Sequence, residues 1–150
     1  MPADHNRQNH AFTLVEIMVV VVIIGLLAAI ALPAFKRVQA RSLASRTAND
    51  FRVFAEAFNR YNLENGNWPP NAPGGTYPAG MSGYLPKRYL DPSPIGGSYG
   101  WTQGTSTLYL FGTTAPLTLM KQVDSILDDG NLSTGDFTAP GSNMIDYRLH

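Results

Sequence analysis

The chain contains no cysteine and only three histidines, which excludes several kinds of chemistry. Without cysteine there is no disulfide, no thiolate nucleophile and no thiolate metal site. His5 and His10 lie within the first ten residues, and His150 is the last residue of the sequence. A general base, a catalytic triad or a histidine metal cluster needs such residues near other reactive side chains. The sequence therefore predicts that the protein is not an enzyme.

The chain also lacks a net charge, because its 11 Lys and Arg residues balance its 11 Asp and Glu residues. A balanced chain has no overall electrostatic attraction to nucleic acid, and the sequence has no nucleotide-binding loop or nucleophile elbow. We therefore expect no nucleic-acid partner. The charge is unevenly distributed, however: residues 36–60 contain six basic and two acidic residues, whereas residues 61–150 contain four basic and seven acidic ones.

Charged side chains are missing from one long stretch, Ile17 to Phe35 (IMVVVVIIGLLAAIALPAF). With the residues before it, this stretch forms an apolar segment, Phe12–Phe35, that would be about 36 Å long as a helix. That length spans a hydrocarbon core of about 30 Å. Gly25 and Pro33 would weaken a soluble helix, but they are tolerated in membranes, where neighbouring groups satisfy the freed backbone. We therefore predict a membrane-spanning helix.

Three explanations of this segment are open on these grounds. A cleaved secretory signal peptide would fit the small residues of Ala29-Ile30-Ala31, although the apolar run is long for such a signal. An ordinary single-span anchor would fit the length, but it gives Glu16 no role at the start of the span. A cleavage and assembly signal would give this carboxylate a partner on another molecule.

The residues around Glu16 carry a family resemblance. Ala11 to Glu16 (AFTLVE), followed by the apolar run, resembles the cleavage and methylation signal of type IV prepilins and type II secretion pseudopilins. The resemblance implies a leader, Met1–Ala11, that a prepilin peptidase removes, and N-methylation of Phe12 as the new first residue. It also implies that Glu16 and Pro33 match the glutamate and proline of the family. Ala11 stands where the family has glycine, and alanine is the smallest substitute.

A carboxylate at the edge of a membrane span is costly to bury without a counter-charge. Cleavage after Ala11 would create an ammonium group at Phe12, and a neighbouring subunit displaced along a filament axis could bring that group to Glu16. Such a pair would fix the axial register of otherwise apolar helices, as one buried polar residue fixes the register of a coiled coil. We therefore predict Glu16, Gly25 and Pro33 as assembly residues.

The resemblance implies a single-pass protein of the bacterial inner membrane, with its C-terminal domain outside the cytoplasm and its final location in a filament. Counting charges favours the opposite orientation, because Lys36, Arg37 and Arg41 follow the span and only Arg7 precedes it. We expect the basic stretch Lys36 to Arg46 to contact lipid headgroups. The implied partners are other pilin or pseudopilin subunits, a prepilin peptidase, an inner-membrane assembly platform and membrane lipid.

The rest of the chain predicts an α+β fold, in which a long N-terminal helix packs against a small antiparallel sheet as in pilins. Lys36–Asn65 is the predicted amphipathic continuation of the helix, and Gly66–His150 is the predicted globular part. An apolar stripe at helical spacing marks the continuation: Ala44, Ala48, Phe51, Ala55 and Phe58. The other predicted elements are three strands and a short helix: Ser98–Thr102, Thr105–Phe111, Asn143–Leu149 and, for the helix, Thr118–Leu127.

Acidic residues and glycines cluster at the end of the predicted short helix, where Asp124, Asp128, Asp129 and Asp136 lie close together in the sequence. Their spacing does not match the EF-hand pattern. The resemblance implies calcium as a cofactor here, because major pseudopilins have an acidic, glycine-rich loop that binds calcium. Its candidate ligands are Asp128, Asp129 and Asp136. A helix end followed by an Asp-Gly turn explains the same residues without a metal.

The function implied by the resemblance is that of a structural subunit, a pseudopilin of a type II secretion pseudopilus or a subunit of a type IV pilus-like filament. The alternative is a minor pilin whose globular domain binds a secreted substrate, a surface or DNA. Many type IV pilins close their C-terminal loop with a disulfide. The absence of cysteine therefore favours the pseudopilin.

Overall fold

The computed structural model describes residues 13–150, so the predicted leader, Met1–Ala11, and Phe12 lie outside the described residues. The described chain divides into two compact units, with the boundary between Val38 and Gln39. The elements follow in chain order: α1 (Leu14–Asn65), one 3-10 turn (Lys87–Tyr89), β1 (Ser98–Thr102), β2 (Thr107–Phe111), α2 (Leu117–Leu127), β3 (Phe137–Gly141) and β4 (Met144–Arg148).

The first unit, in its described part, is the apolar half of α1. Its large apolar side chains from Leu14 to Phe35 are between 50% and 76% exposed. This part of α1 is long and apolar enough to cross a membrane, a property that signal sequences near an N-terminus share. The helix runs through Pro33 without interruption. A helix that is apolar all round needs either lipid or other helices to cover it.

The second unit begins with the amphipathic half of α1, and the predicted stripe is confirmed there. Phe51 and Phe58 are fully buried, as are Ala44 and Ala48, and Ala55 is 8% exposed. The helix ends at Asn65, because Gly66 takes a left-handed conformation with φ of +70° that most residues avoid. The spacing of apolar residues therefore placed the buried face of α1 correctly.

The sheet has four antiparallel strands in the order β1-β2-β4-β3. Alternate residues of these strands are buried in the core with the α1 stripe, as the two-residue period of a strand requires. The fully or almost fully buried ones are Tyr99, Trp101, Leu108, Leu110, Phe137 and Ile145. The predicted arrangement of a long helix on an antiparallel sheet is thus confirmed.

Two of the predicted strands, β2 and β4, are shorter than expected, and the strand β3 was not predicted. The sequence of β3 (FTAPG) contains Pro140 and Gly141, which are rare inside strands. β3 lies at an edge of the sheet, where a proline is tolerated because its nitrogen does not have to donate to a neighbouring strand. β2 starts at Thr107 because Ser106 has a positive φ of 47° and belongs to the preceding turn.

Phe51 joins α1 to three of the four strands. Its ring packs edge-to-face against Tyr99 of β1 at 5.6 Å, Phe137 of β3 at 5.5 Å and Tyr147 of β4 at 5.8 Å between ring centroids. Edge-to-face pairs add about 0.5–1.5 kcal/mol each to the burial of their area. Phe51 is therefore the side chain on which the packing of helix and sheet most depends.

We expect Phe51→Ala to lower the free energy of unfolding by about 3–5 kcal/mol, because it leaves a cavity among three aromatic rings. The measurement is chemical unfolding of the full-length protein in detergent. Phe111→Ala is the matched control, since Phe111 is 55% exposed. It should cost about 1 kcal/mol or less. Equal losses in the two variants would contradict the central position of Phe51.

Candidate assembly segment and candidate metal centre

Glu16 lies in the first turn of α1 and is hydrogen-bonded to Thr13. The backbone N–H and the hydroxyl of Thr13 each donate to Glu16 Oε2 at 2.8 Å. In return, the backbone N–H of Glu16 donates to Thr13 Oγ1 at 3.2 Å. This reciprocal arrangement is a capping box, which satisfies backbone donors that have no partner inside the helix.

The carboxylate of Glu16 therefore has partners within its own chain, which the sequence analysis did not foresee. The signal was present, because Thr13 and Glu16 form the pattern Thr-x-x-Glu directly before an apolar run. The predicted counter-charge at Phe12 and the predicted cleavage site at Ala11 lie outside the described residues. An ionised carboxylate offers about four acceptor positions, so the cap leaves capacity for a further donor.

Gly25 lies in the apolar half of α1 with an open surface around it. A Cβ atom at this position would meet no atom of the described chain within 4 Å. The fold of the subunit therefore does not require glycine here, and alanine would favour the helix by about 0.8–1.0 kcal/mol. The roles of Gly25 and Pro33 in assembly remain predictions.

The acidic residues around the end of α2 form a cluster. Carboxylate oxygens of Asp124, Asp128 and Asp129 all lie within 4.8 Å of one another. Asp124 is fully buried, and neither of its carboxylate oxygens has a hydrogen-bond partner among the described residues. Burial of a carboxylate without a partner is costly, because the charge loses its hydration.

The pKa of Asp124 reflects this environment. Burial raises the pKa of the Asp124 carboxyl above its ordinary value, and the negative charges of Asp129 and Asp128 raise it further. The backbone amide of Gly130 opposes the shift, although it does not meet hydrogen-bond geometry with the carboxylate. The folded protein therefore holds this proton more tightly than the unfolded chain does.

Asp128 and Asp129 are exposed, and their hydrogen bonds shape the loop that follows α2. Asp128 Oδ2 accepts the backbone N–H of Asp136 at 2.6 Å and that of Phe137 at 3.2 Å. Asp129 accepts the N–H of Asn131 at 2.7 Å through Oδ1. A side chain at Gly135 would collide with the carboxylate of Asp128.

Asp136 is placed differently from the other predicted ligands. Its Oδ1 atom lies 2.7 Å from Nε2 of His150, so its carboxylate faces the C-terminal residue. The structure thus brings together Asp128 and Asp129 of the predicted set, with Asp124 beside them. Asp124 and Asp128 are four residues apart, a spacing that places two side chains on one face of a helix end.

The chemistry of this cluster fits a hard divalent cation. Calcium takes six to eight oxygen ligands and prefers carboxylates and carbonyls. Such an ion would balance two of the three negative charges of Asp124, Asp128 and Asp129, which would offset the cost of burying Asp124. Asp124, Asp128 and Asp129 are the residues that would hold it.

Known proteins resemble the chain in both its N-terminal segment and its fold. The family model described as the prokaryotic N-terminal methylation motif matches residues 6–32. The major type IV pilin PilA1 from Clostridium difficile has the same fold, with a TM-score of 0.55 at 16% identity, over 73% of this chain and 96% of that chain. At this identity the likeness concerns the fold alone.

Curated relatives differ in how far the match extends. Type II secretion system core protein G from Pseudomonas aeruginosa is 34% identical over 122 residues, which cover 71% of this chain and 84% of that protein. Fimbrial protein EcpC from Eikenella corrodens is 40% identical over 102 residues, 68% of this chain and 63% of that protein. Type IV major pilin PilE1 from Neisseria gonorrhoeae is 40% identical over 70 residues, 47% of this chain. For PilE1 pilins of Neisseria gonorrhoeae and fimbrial proteins of Neisseria meningitidis, the match spans only 33% to 40% of their own length.

Asp124→Asn should have opposite effects with and without calcium. Without calcium the variant should be more stable than the wild type at pH 7, because it removes a buried charge. The difference should shrink as the pH falls below the raised pKa, where wild-type Asp124 becomes protonated in the folded state. At a calcium concentration of about 100 times Kd, the wild type should gain about 2.7 kcal/mol and the variant nothing.

The measurement is thermal unfolding of the full chain with EDTA or calcium, between pH 4 and pH 8. Asp91→Asn is the control, since Asp91 is exposed and lies outside the acidic cluster. A wild-type melting temperature that does not respond to chelator would eliminate calcium as a ligand of this cluster.

Proposed function

Because the chain belongs to the family of type IV pilins and type II secretion pseudopilins, we propose that it is a structural subunit that polymerises through the apolar half of α1. Members of this family are structural proteins rather than enzymes. The observation that carries the proposal is the match to core protein G over 84% of that protein's length and 71% of this chain, far more than the methylation motif at residues 6–32 covers.

Within the family, we propose a pseudopilin of a type II secretion pseudopilus. The acidic cluster at the end of α2 supports this assignment, because its geometry suits a cation and the chain has no cysteine for a disulfide. The second candidate is a subunit of a type IV pilus-like filament. The match to the fimbrial protein of Eikenella corrodens over 68% of this chain favours that candidate.

On polymerisation, the apolar half of α1 would exchange its contacts with lipid for contacts with helices of other subunits. In the membrane, lipid covers the exposed apolar side chains between Leu14 and Phe35; in a filament, helices of other subunits would. Lipid and side chains are similarly apolar, so the exchange depends on close packing and on polar contacts. Gly25, which has open space around it, is suited to a close approach by another helix.

Glu16 would provide the polar contact in this exchange. At the edge of a membrane its carboxylate is exposed and capped by Thr13, whereas between packed helices it would lose water and require a counter-charge. Removal of the leader by a prepilin peptidase would supply an ammonium group at Phe12 of a neighbouring subunit. Processing of the chain would therefore be a condition for assembly.

Glu16→Ala and Glu16→Gln separate the two roles of this side chain. Glutamine can serve in a capping box but carries no charge. If the carboxylate pairs with an ammonium group in the filament, both variants should insert in the membrane and be processed, and both should be incorporated into filaments poorly. If its role is the cap alone, Glu16→Gln should assemble like the wild type.

The assay is filament formation in cells that carry a type II secretion system without its own core protein G, together with measurement of secretion. Thr13→Ala is the matched control, because it removes the hydroxyl of the cap but leaves the charge of Glu16. Normal assembly of Glu16→Gln would contradict the pairing of this carboxylate with an ammonium group. If the wild-type chain restored filaments but not secretion, the result would favour a subunit of a type IV pilus-like filament.

The mature N-terminus provides an independent test of the proposal. We expect mass spectrometry of the membrane-extracted protein to find a chain that begins with N-methylated Phe12, because the methylation motif covers this position. A chain that begins after Ala31 would instead indicate a secreted soluble domain. An intact Met1 in the presence of the peptidase would indicate a plain anchor and would contradict the proposal.

A further inference from the structure

One asparagine of the second unit lies in a glycosylation signal that the proposed function does not use. Asn131, Leu132 and Ser133 follow the pattern Asn-x-Ser, in which x is any residue except proline. No other asparagine of the sequence has Ser or Thr two residues later. Asp129 adds an acidic side chain two residues before the asparagine, which bacterial oligosaccharyltransferases select. The signal can be read only in a surface loop, so the folded position of Asn131 decides its use.

The loop between α2 and β3 presents both ends of this signal at the surface. Asn131 and Ser133 are exposed, whereas Leu132 between them is 8% exposed and packs in the hydrophobic core. Leu132 therefore anchors the middle of the signal, and its two neighbours remain accessible. An oligosaccharide on Asn131 would extend from the surface of the loop into solvent.

The hydrogen bonds of Asn131 fix its position but leave its amide nitrogen without a partner among the described residues. Its backbone N–H donates to Asp129 Oδ1 at 2.7 Å, and its backbone oxygen accepts the N–H of Thr134 at 2.9 Å. Its side-chain Oδ1 accepts the backbone N–H of Ser133 at 3.3 Å. Because an N–H group needs an oxygen as acceptor, this contact identifies the other atom of the amide, the one that is not engaged, as the nitrogen.

Attachment of a sugar to this nitrogen would leave the loop intact. An asparagine amide has two N–H donors, and substitution removes one of them while Oδ1 keeps its acceptor positions. The hydrogen bonds that shape the loop at Asn131 use its backbone and its Oδ1 atom, so none of them has to break. The folded protein can therefore be modified without a change in the loop.

We propose that Asn131 is N-glycosylated after the second unit has reached the outer side of the membrane. The proposal rests on the proposed function, because the resemblance behind that function also implies this location. The donor is an oligosaccharide that a diphosphate links to a polyprenyl lipid, and an oligosaccharyltransferase catalyses the transfer. Nδ2 of Asn131 attacks C1 of the first sugar, and the bond between C1 and the diphosphate oxygen breaks. The polyprenyl diphosphate leaves, and the amide nitrogen gives up one proton to a base.

The test uses the full chain in bacterial cells that contain an oligosaccharyltransferase and its lipid-linked oligosaccharide. A second exported protein with a known glycosylation site serves as a reporter of the activity of the pathway. After extraction from the membrane and digestion, mass spectrometry measures what fraction of the peptide around Asn131 carries the oligosaccharide. We expect the modified peptide in the wild type and its loss in both Asn131→Gln and Ser133→Ala. Ser133→Thr should keep it, because threonine satisfies the same pattern.

Asn143→Gln is the matched control for the loss of an asparagine. Asn143 is also exposed in the second unit, but no Ser or Thr follows it at the required distance. The variant should therefore carry the oligosaccharide on Asn131 to the same extent as the wild type.

Two results would overturn the proposal. An unmodified Asn131 in cells that glycosylate the reporter would mean that the enzyme does not accept this loop. An oligosaccharide that persists in Asn131→Gln would place the modification on another side chain, for example on the hydroxyl of Ser133 or Thr134.

A cysteine label separates this failure from a failure of the proposed function. The chain has no cysteine, so Lys121→Cys introduces a single exposed labelling position on α2. In spheroplasts, a membrane-impermeant maleimide reacts with this position only if the second unit lies outside the cytoplasm. A labelled but unmodified chain contradicts glycosylation alone. An unlabelled chain contradicts the location that the proposed function requires, and glycosylation with it.

Discussion

The packing of Phe51 is the interaction on which the rest of the second unit depends. Its ring is fully buried and contacts aromatic side chains of β1, β3 and β4, so that one residue of α1 holds three strands in place. One of these contacts, Phe137, also donates its backbone N–H to Asp128 at 3.2 Å. The acidic cluster is therefore joined to the hydrophobic core through Phe137 as well as through the buried side chains of α2. A change in the core packing would therefore move the carboxylates. A change in the charge of the cluster would in turn shift the start of β3.

A single helix, α1, meets two different requirements along its length. Up to Phe35 its apolar side chains are exposed on every side, which suits lipid and later the helices of other subunits. From Ala44 onwards only one stripe is apolar, and it is covered by the sheet of the same chain. The basic residues from Lys36 to Arg46 come between these parts, where an aqueous surface replaces hydrocarbon. The sequence of α1 thus changes its pattern where its surroundings are expected to change.

Elements with a clear period could be predicted from the sequence, whereas contacts made by turns could not. The stripe that contains Phe51 has a helical period, and β1 was predicted with its observed bounds. β3 escaped prediction because Pro140 and Gly141 obscure its pattern and only the edge of the sheet makes them acceptable. The cap between Thr13 and Glu16 has a recognisable motif, Thr-x-x-Glu, so this contact was predictable from the sequence. The burial of Asp124 could not be foreseen, since it depends on how α2 packs in three dimensions.

The acidic cluster lies in a segment that the chain cannot close with a disulfide, because the chain has no cysteine. The segment from Asp128 to Asp136 is mostly exposed, with Leu132 packed in the core, and it has to be closed without a disulfide. Asp128 and Asp129 close it by accepting hydrogen bonds from the backbone N–H groups of Asp136 and Asn131, but these two bonds are exposed to competition from water. A cation held by Asp124 and these two residues would add an electrostatic closure and would neutralise the buried carboxylate at the same time. A disulfide would fix the loop permanently, whereas an ion would make its stability depend on the concentration of that ion in the surrounding solution. The carboxylate of Asp124 is buried and has no hydrogen-bond partner among the described residues, which favours closure by an ion. If hydrogen bonds alone closed the loop, burial of this carboxylate would only lower the stability of the fold.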